Sequence, residues 1–296
     1  MSDEAGSPVM VIGDARLQRV EELRIPNSIA YFTTDADLIA ANRDWLSPHF
    51  LDDDEGFDLV FQSWIFEADG RVVLVDPCTG NGKPHVVPFF DQLDVPYIER
   101  MATTGYRPED IDIVVCTHLH HDHCGWNTQL RDGKWVPTFP NARYIMRRSE
   151  YERWGPKSAQ HPVFDYNEGV FERSIQPVVE AGLAELISGS HRLTTGMLVE
   201  PAPGHTLGHQ MLHLTSSGHE AYFTGDCFHH PIQLVDPTIP FGDAEDLDQV
   251  IAMRRKLAGL SADRGALLIP AHLPFPHAVR AFRDGDAIRF AAAGAV

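Results

Sequence analysis

The segment Thr117-His118-Leu119-His120-His121-Asp122-His123 restricts this chain more than any other stretch of it. His118, His120, Asp122 and His123 stand within six residues, directly after the apolar run Ile113-Val114-Val115-Cys116. Imidazole together with carboxylate is a donor set for zinc and its neighbours rather than for calcium or magnesium, which take oxygen ligands. No regular element can bring the four to one ion. In a strand His118, His120 and Asp122 face one way and His123 the other, and in a helix His120 turns away from His118 and Asp122. An irregular loop leaving a strand end can wrap two adjacent ions, with His118 and His120 on one and Asp122 and His123 on the other. The competing reading is a polar surface loop in a chain that carries 16 histidines.

Further donors recur in the same setting. Leu198-Val199-Glu200 leads into Pro203-Gly204-His205-Thr206, Ala221-Tyr222-Phe223-Thr224 into Gly225-Asp226, and Leu267-Leu268-Ile269 into Pro270-Ala271-His272. Each strand-like run ends and a His or Asp follows. A sheet fixes the root of such a loop while the loop bends around a ligand. Singly, each of these residues reads as a turn former or a strand-end residue; with the first motif they supply the missing ligands.

In this order the residues resemble the metallo-β-lactamase fold hydrolases, over roughly residues 58 to 280: His-x-His-x-Asp-His, a His in Pro-Gly-His-Thr, Gly-Asp, and a late His after a strand. The resemblance implies His118, His120 and His205 on a first zinc, Asp122, His123 and His272 on a second, and Asp226 bridging both. It also implies an acid at the position of Asp76 that orients a ligand histidine through its second ring nitrogen. A plain turn-forming Asp76-Pro77 is the alternative. Two zinc ions about 3.5 Å apart would share a bridging hydroxide that attacks the substrate, and no serine or cysteine nucleophile is then needed.

The fold expected is α/β, a four-layer αβ/βα sandwich with the site between its sheets. The donors come from both halves of the chain, so residues 1–296 read as one such domain, with 1–57 an N-terminal extension packing on it. Phe61–Phe66 and Val72–Val75 around Ala68-Asp69-Gly70 read as a hairpin. Asp246 with Gln249 reads as a helix start whose apolar stripe ends at Gly259, and Ser149-Glu150-Tyr151-Glu152 as a second capping box. Segment 84 to 102 carries Pro88 and Pro96 and reads as a broken helix, and residues 1 to 8 as a disordered tail.

Composition narrows the partners. A net charge of −18 opposes binding to a phosphate backbone, so no nucleic-acid partner is expected. No apolar stretch of about 18 residues occurs, and the acidic N-terminus lacks an apolar signal core, so no membrane partner and a cytoplasmic location are expected. The cysteines, Cys78, Cys116, Cys124 and Cys227, show no paired spacing and read as buried thiols. Dimerisation stays open.

The expected reaction is hydrolysis of a small-molecule lactone or ester, ahead of β-lactams. The nearest branch is that of the acyl-homoserine lactonases and methyl parathion hydrolase-like enzymes, in which lactone, aryl ester and phosphotriester activities overlap. A phosphotriester hydrolase, or an iron oxidoreductase of the persulfide dioxygenase type, is the alternative. The lactonases carry a tyrosine three residues after the bridging Asp, where this chain has His229. That histidine can serve the leaving oxygen or be structural, and with Asp122 and Asp226 it completes the catalytic candidates. Substrate contacts are expected from Phe228, Phe275 and Trp126. The aromatic-rich segment Trp126 to Phe171 (Trp135, Phe139, Tyr151, Trp154, Phe164, Tyr166) is expected over the site, with Tyr31, Phe32, Trp45 and Phe50 adding to its wall.

Overall fold

Strands alternate with helices through the whole of the computed structural model, which describes residues 9–155, 166–242 and 244–294. The expected tail at 1 to 8 and Phe164 lie outside the described residues. The first half of the chain supplies β1 (Met10–Ile12), β2 (Ala15–Ser28), helix α1 (Ala36–Leu46), β3 (Gly56–Ala68), β4 (Arg71–Val75), α2 (Tyr97–Thr103), β5 (Ile113–Val115) and α3 (His121–Cys124). After the hairpin β6 (Thr128–Arg131) and β7 (Lys134–Pro137) come β8 (Arg143–Arg147), α4 (Arg148–Trp154), α5 (Gln176–Glu180) and β9 (Ala184–Ile187). The remainder forms β10 (His191–Arg192), β11 (Met197–Pro201), β12 (Gln210–Ser216), β13 (His219–Gly225), α6 (Ile232–Val235), α7 (Leu247–Arg264), β14 (Leu267–Pro270), β15 (His277–Asp284) and β16 (Ala287–Gly294).

Two seven-stranded sheets result, in the orders β1-β2-β3-β4-β5-β8-β9 and β10-β11-β12-β13-β14-β15-β16. Their inner faces meet through Trp64, Phe66, Val73, Val75, Ile113 and Val115 on one side and Leu212, Leu214, Phe223, Leu267 and Ile269 on the other. The period of two along a strand then dictates the rest. Ile65, Leu74 and Val114 point outward to Tyr97, Met101 and Val178 of the first helical layer, and Tyr222 and Leu268 point outward to Leu257 and Ala258 of the second. This is the four-layer αβ/βα sandwich. Residues 10–28, read as part of an extension, are strands of the first sheet itself, because β2 pairs with β3 from Gln18↔Ile65 to Ser28↔Gly56.

Local chemistry sets the boundaries. Asp69 and Gly70, both at positive φ (52° and 66°), close the β3–β4 hairpin between Ala68 and Arg71. Asp246 caps α7, accepting from the Gln249 backbone at 3.0 Å and from its side chain at 2.7 Å. That helix passes through Gly259, because its buried face continues to Ser261 against the core, and stops at Gly265, which takes the left-handed conformation (φ 69°). Pro88 and Pro96 confine the helical part of 84–102 to α2. The second capping box does not form: α4 begins at Arg148 behind Arg147, and Glu150 is drawn into the interior. All four cysteines are buried and free. Among the described residues no helix is long and apolar enough to cross a membrane.

Candidate metal centre

Five strand ends meet at one edge of the sandwich. Val75 is followed by Asp76, Val115 by the 116–120 loop, Pro201 by the 202–209 loop, Gly225 by Asp226, and Pro270 by Ala271-His272. The turn after β13 requires its glycine. At Gly225 (φ +50°) a Cβ would lie 2.5 Å from His209 Nε2, so the backbone can pass that ring only without one.

The seven donors inferred from the sequence come together, with their ring nitrogens turned inward. Nε2 of His118 lies 2.9 Å from Nδ1 of His120, and Nε2 of His205 lies 3.1 Å from the same atom. On the other side, Oδ2 of Asp122 is 3.5 Å from Nε2 of both His123 and His272. Asp226 faces both groups. Its Oδ2 is 3.4 Å from His205 Nε2 and 3.3 Å from His123 Nε2, and its Oδ1 is 3.2 Å from His272 Nε2. Donors on a tetrahedral zinc with bonds near 2.0 Å stand roughly 3.3 Å apart, and these spacings match. Nε2 of His123 and Oδ1 of Asp226 are buried without a hydrogen bond, the state of atoms that a cation would satisfy. The residues therefore fit a pair of zinc-class ions.

The outward nitrogens are held as well. Asp76 Oδ2 is 3.0 Å from His123 Nδ1, and it accepts the Thr117 hydroxyl at 2.8 Å. Thr117 Oγ1 is in turn 3.2 Å from His118 Nδ1. The Val60 carbonyl is 3.2 Å from His272 Nδ1, and Tyr166 Oη is 3.4 Å from His120 Nε2. Such contacts fix which ring nitrogen is free to ligate.

Electrostatics agrees with a donor role. Burial alone would raise the Asp122 and Asp226 carboxyls, but the adjacent imidazoles, His123 foremost, hold both well below the ordinary carboxylate range. Burial, reinforced by His123, His120 and His205, keeps His118 neutral. His123 goes the other way: burial opposes its charge, yet Asp226, Asp122 and Asp76 outweigh burial and raise it well above the usual imidazole value. Three carboxylates around one buried imidazole favour positive charge at this spot, which a bound cation would supply.

Above the donors opens a cavity of about 510 Å³, lined by His120, His121, Asp122, His205, Asp226, His229 and His272, with Ile25, Leu59, Phe61, Phe89, Phe90 and Phe241 among its apolar residues. His229 reaches it. Its Nε2 is 3.0 Å from Asp226 Oδ2, and its ring stacks on Phe241 at 3.9 Å between centroids. The expected substrate contacts lie elsewhere. Phe228 is fully buried in the outer core with Phe50 and Leu257, because the chain turns between it and His229, whose N–H bonds Gln233. Phe275 packs on His49 at the surface, 39% exposed. Trp126 stacks on Tyr97 at 4.8 Å and gives its indole proton to Glu22, in a separate cavity with Asn81 and Gln129.

Of the segment expected over the site, Tyr166 lines the cavity, and Trp154 stands 5.4 Å from the His120 ring. Trp135 lies under Lys83, Phe139 is in the core, and Tyr151 packs on Phe171. Tyr31 joins the cavity wall, whereas Phe32 stacks on Phe241, Trp45 packs on Phe290, and Phe50 is in the core.

Residues 60–272 match the Metallo-beta-lactamase superfamily. The chain belongs to that superfamily. Within it, the chain is 26% identical to an N-acyl homoserine lactonase of Bacillus sp over 186 residues, 58% of this chain and 66% of that protein. It is 32% identical to the N-acyl homoserine lactonase of Bacillus cereus over 112 residues, 38% of this chain and 36% of that one. A probable metallo-hydrolase of Mycobacterium tuberculosis is 27% identical over 197 residues, 59% of each. The chain thus spans less than two thirds of the length of each of these relatives. Among solved structures, hydrolase AbOPH superposes with a TM-score of 0.77 at 23% identity, covering 99% of both chains. AidC, a dizinc quorum-quenching lactonase in complex with a product, superposes at 0.74 and 20%, with the same coverage. At these identities the two show the shared superfamily fold.

Several further residues serve the site. His121 and Phe241 line the cavity. His209 accepts the Asp226 N–H at 3.1 Å, and Glu150 anchors two ligand loops. The Gly-His pair at 208–209 follows His205 closely enough to have been a signal; the others carry none.

Proposed function

We propose that this protein is a dinuclear, zinc-class metallohydrolase of small neutral lactones or esters. The observation that carries the proposal is the sharing of Asp226 between two donor groups, His118/His120/His205 and Asp122/His123/His272, at the floor of the cavity. Zinc-class ions bound there supply a water activated near neutral pH and a Lewis acid for the substrate carbonyl.

The chain's own residues then decide what is bound and how. At about 510 Å³ the cavity suits a small molecule. Its described lining holds no lysine or arginine, so an anionic substrate would find no side-chain counter-charge, whereas an apolar group can lie against Phe61, Phe89 and Phe90. An apolar group seated against that wall excludes water and strengthens each polar contact at the floor. Burial lowers His229, and its Nε2 stands 3.0 Å from Asp226 Oδ2, so a ring that carries its hydrogen on Nε2 can donate a hydrogen bond there. In the proposed reaction that hydrogen bond would be offered to the leaving oxygen. The N-acyl homoserine lactonases among the relatives support the ester class.

The test is a hydrolysis screen on metal-quantified protein covering lactones, aryl esters, phosphotriesters and β-lactams. Two zinc-class ions per chain and highest kcat/KM on a lactone or aryl ester are expected. A single iron, or a β-lactam or phosphotriester turned over fastest, overturns the assignment.

A further inference from the structure

Glu150 is a carboxylate in the interior, 1% exposed, and the chemistry proposed above does not use it. Its two oxygens are fully committed. Oε2 accepts the backbone N–H of Leu119 at 3.1 Å and the Trp154 indole N–H at 2.9 Å, and Oε1 accepts the backbone N–H of Gly208 at 3.0 Å. Leu119 lies between His118 and His120, and Gly208 lies three residues after His205. One side chain on α4 thus ties together the two loops that carry all three histidines of one donor group. The fit is close: a Cβ on Gly208 would lie 2.6 Å from Glu150 Oε1. Among the described residues no hydrogen bond links Glu150 to Asp122, His123 or His272. His123 is oriented by Asp76, and His272 by the Val60 carbonyl.

We infer that Glu150 is a positioning residue for the ion held by His118, His120 and His205, and sets the affinity of that ion independently of its neighbour. The inference rests on the two-metal reading. An ionised carboxylate is acceptor-only on both oxygens, whereas glutamine offers one acceptor and one donor. Glu150→Gln must therefore release either Leu119 or Gly208, and the three imidazoles lose their common register.

The experiment is a zinc titration of the metal-stripped full chain against a chromophoric chelator, resolving two equivalents. His205→Ala identifies the three-histidine step and His272→Ala the other. Glu150→Gln is expected to weaken the three-histidine step about 10- to 100-fold, the range for partners that orient metal ligands, and to leave the other step within error. Gly208→Ala, which displaces the same carboxylate, is expected to reproduce the effect and carries the test if Glu150→Gln does not fold. Cobalt loaded into that step should show a shifted visible band in both variants. Glu22→Gln, which alters another buried carboxylate away from these loops, should leave the three-histidine step unchanged. Equal weakening of both steps, or wild-type affinities in Glu150→Gln and Gly208→Ala, overturns the inference alone. A wild-type chain that takes up no zinc overturns the metallohydrolase reading and this inference with it.

Discussion

Asp76 Oδ2 stands 3.0 Å from Nδ1 of His123, with both side chains buried at the floor of the sandwich edge. The same carboxylate takes the backbone N–H of Thr117 on Oδ1 at 2.7 Å, so one strand-end acid steers residues on both sides of the donor cluster. Asp76→Ala should lower zinc affinity by about 10- to 100-fold. Chelator competition on the purified variant measures it, and unchanged affinity would reduce Asp76 to a turn former.

Asp226 carries the sharpest electrostatic demand, since its Oδ2 faces His205 of one donor group and His123 of the other, while its Oδ1 faces His272. Asp226→Asn removes the charge, and an amide bridges two cations poorly. Metal content after dialysis should fall for both ions, with activity falling alongside. Full retention of both metal and activity would show that Asp226 does not bridge.

His229→Ala should lower kcat most for esters with poor leaving groups and least for nitrophenyl esters, whose leaving oxygen needs little protonation. A leaving-group series at saturating substrate reads the slope. A uniform loss across the series would mean that His229 shapes the wall, through its stack on Phe241, instead of donating a proton.

Two buried histidines away from the donor cluster predict how stability depends on pH. Burial lowers His230 to about 4 and His277 to about 3. His230 uses both ring nitrogens, meeting the Phe50 carbonyl at 2.7 Å and accepting the Ile232 N–H at 3.1 Å. In the unfolded chain both titrate near 6.5, so above that pH their contribution is complete. As pH falls below 6.5 the unfolded state takes up protons that the folded state refuses, and stability drops by about 1.4 kcal/mol per pH unit for each group. Urea unfolding at pH 7.5 and 5.5 should show this, and His277→Phe should flatten the dependence. An unaltered pH slope in His277→Phe would contradict the assignment.

Phe228 separates packing from recognition. It is fully buried and does not line the cavity, so Phe228→Ala should cost about 3–5 kcal/mol in unfolding free energy and leave relative rates across substrates unchanged. Phe61→Ala, at the cavity wall, should change those relative rates instead. A changed substrate profile in Phe228→Ala would return that residue to the site.

The donor cluster was legible in the sequence because its chemistry is local. The spacing His118-x-His120-x-Asp122-His123 points to metal-site chemistry, His205, Asp226 and His272 follow strand-like runs closely, and the resemblance to the metallo-β-lactamase fold hydrolases implies that they complete the donor set. The four-layer sandwich was legible through that resemblance and through the alternation of strand pairs with helical segments, and continuous apolar runs such as Ile113-Val114-Val115 bury both of their faces in it. The cavity wall was not. Whether an aromatic residue faces a pocket or a core depends on the turn beside it and on what packs behind it. Phe228 and His229 are adjacent in sequence, yet the first is buried in the outer core and the second lines the cavity. Glu150 was invisible as a site residue for a related reason. Its partners, Leu119 and Gly208, are 31 and 58 residues away, and only folding brings two backbone N–H groups to its two oxygens. Ligand identity is written in side-chain chemistry at short range, whereas orientation is decided by contacts between segments far apart in the chain.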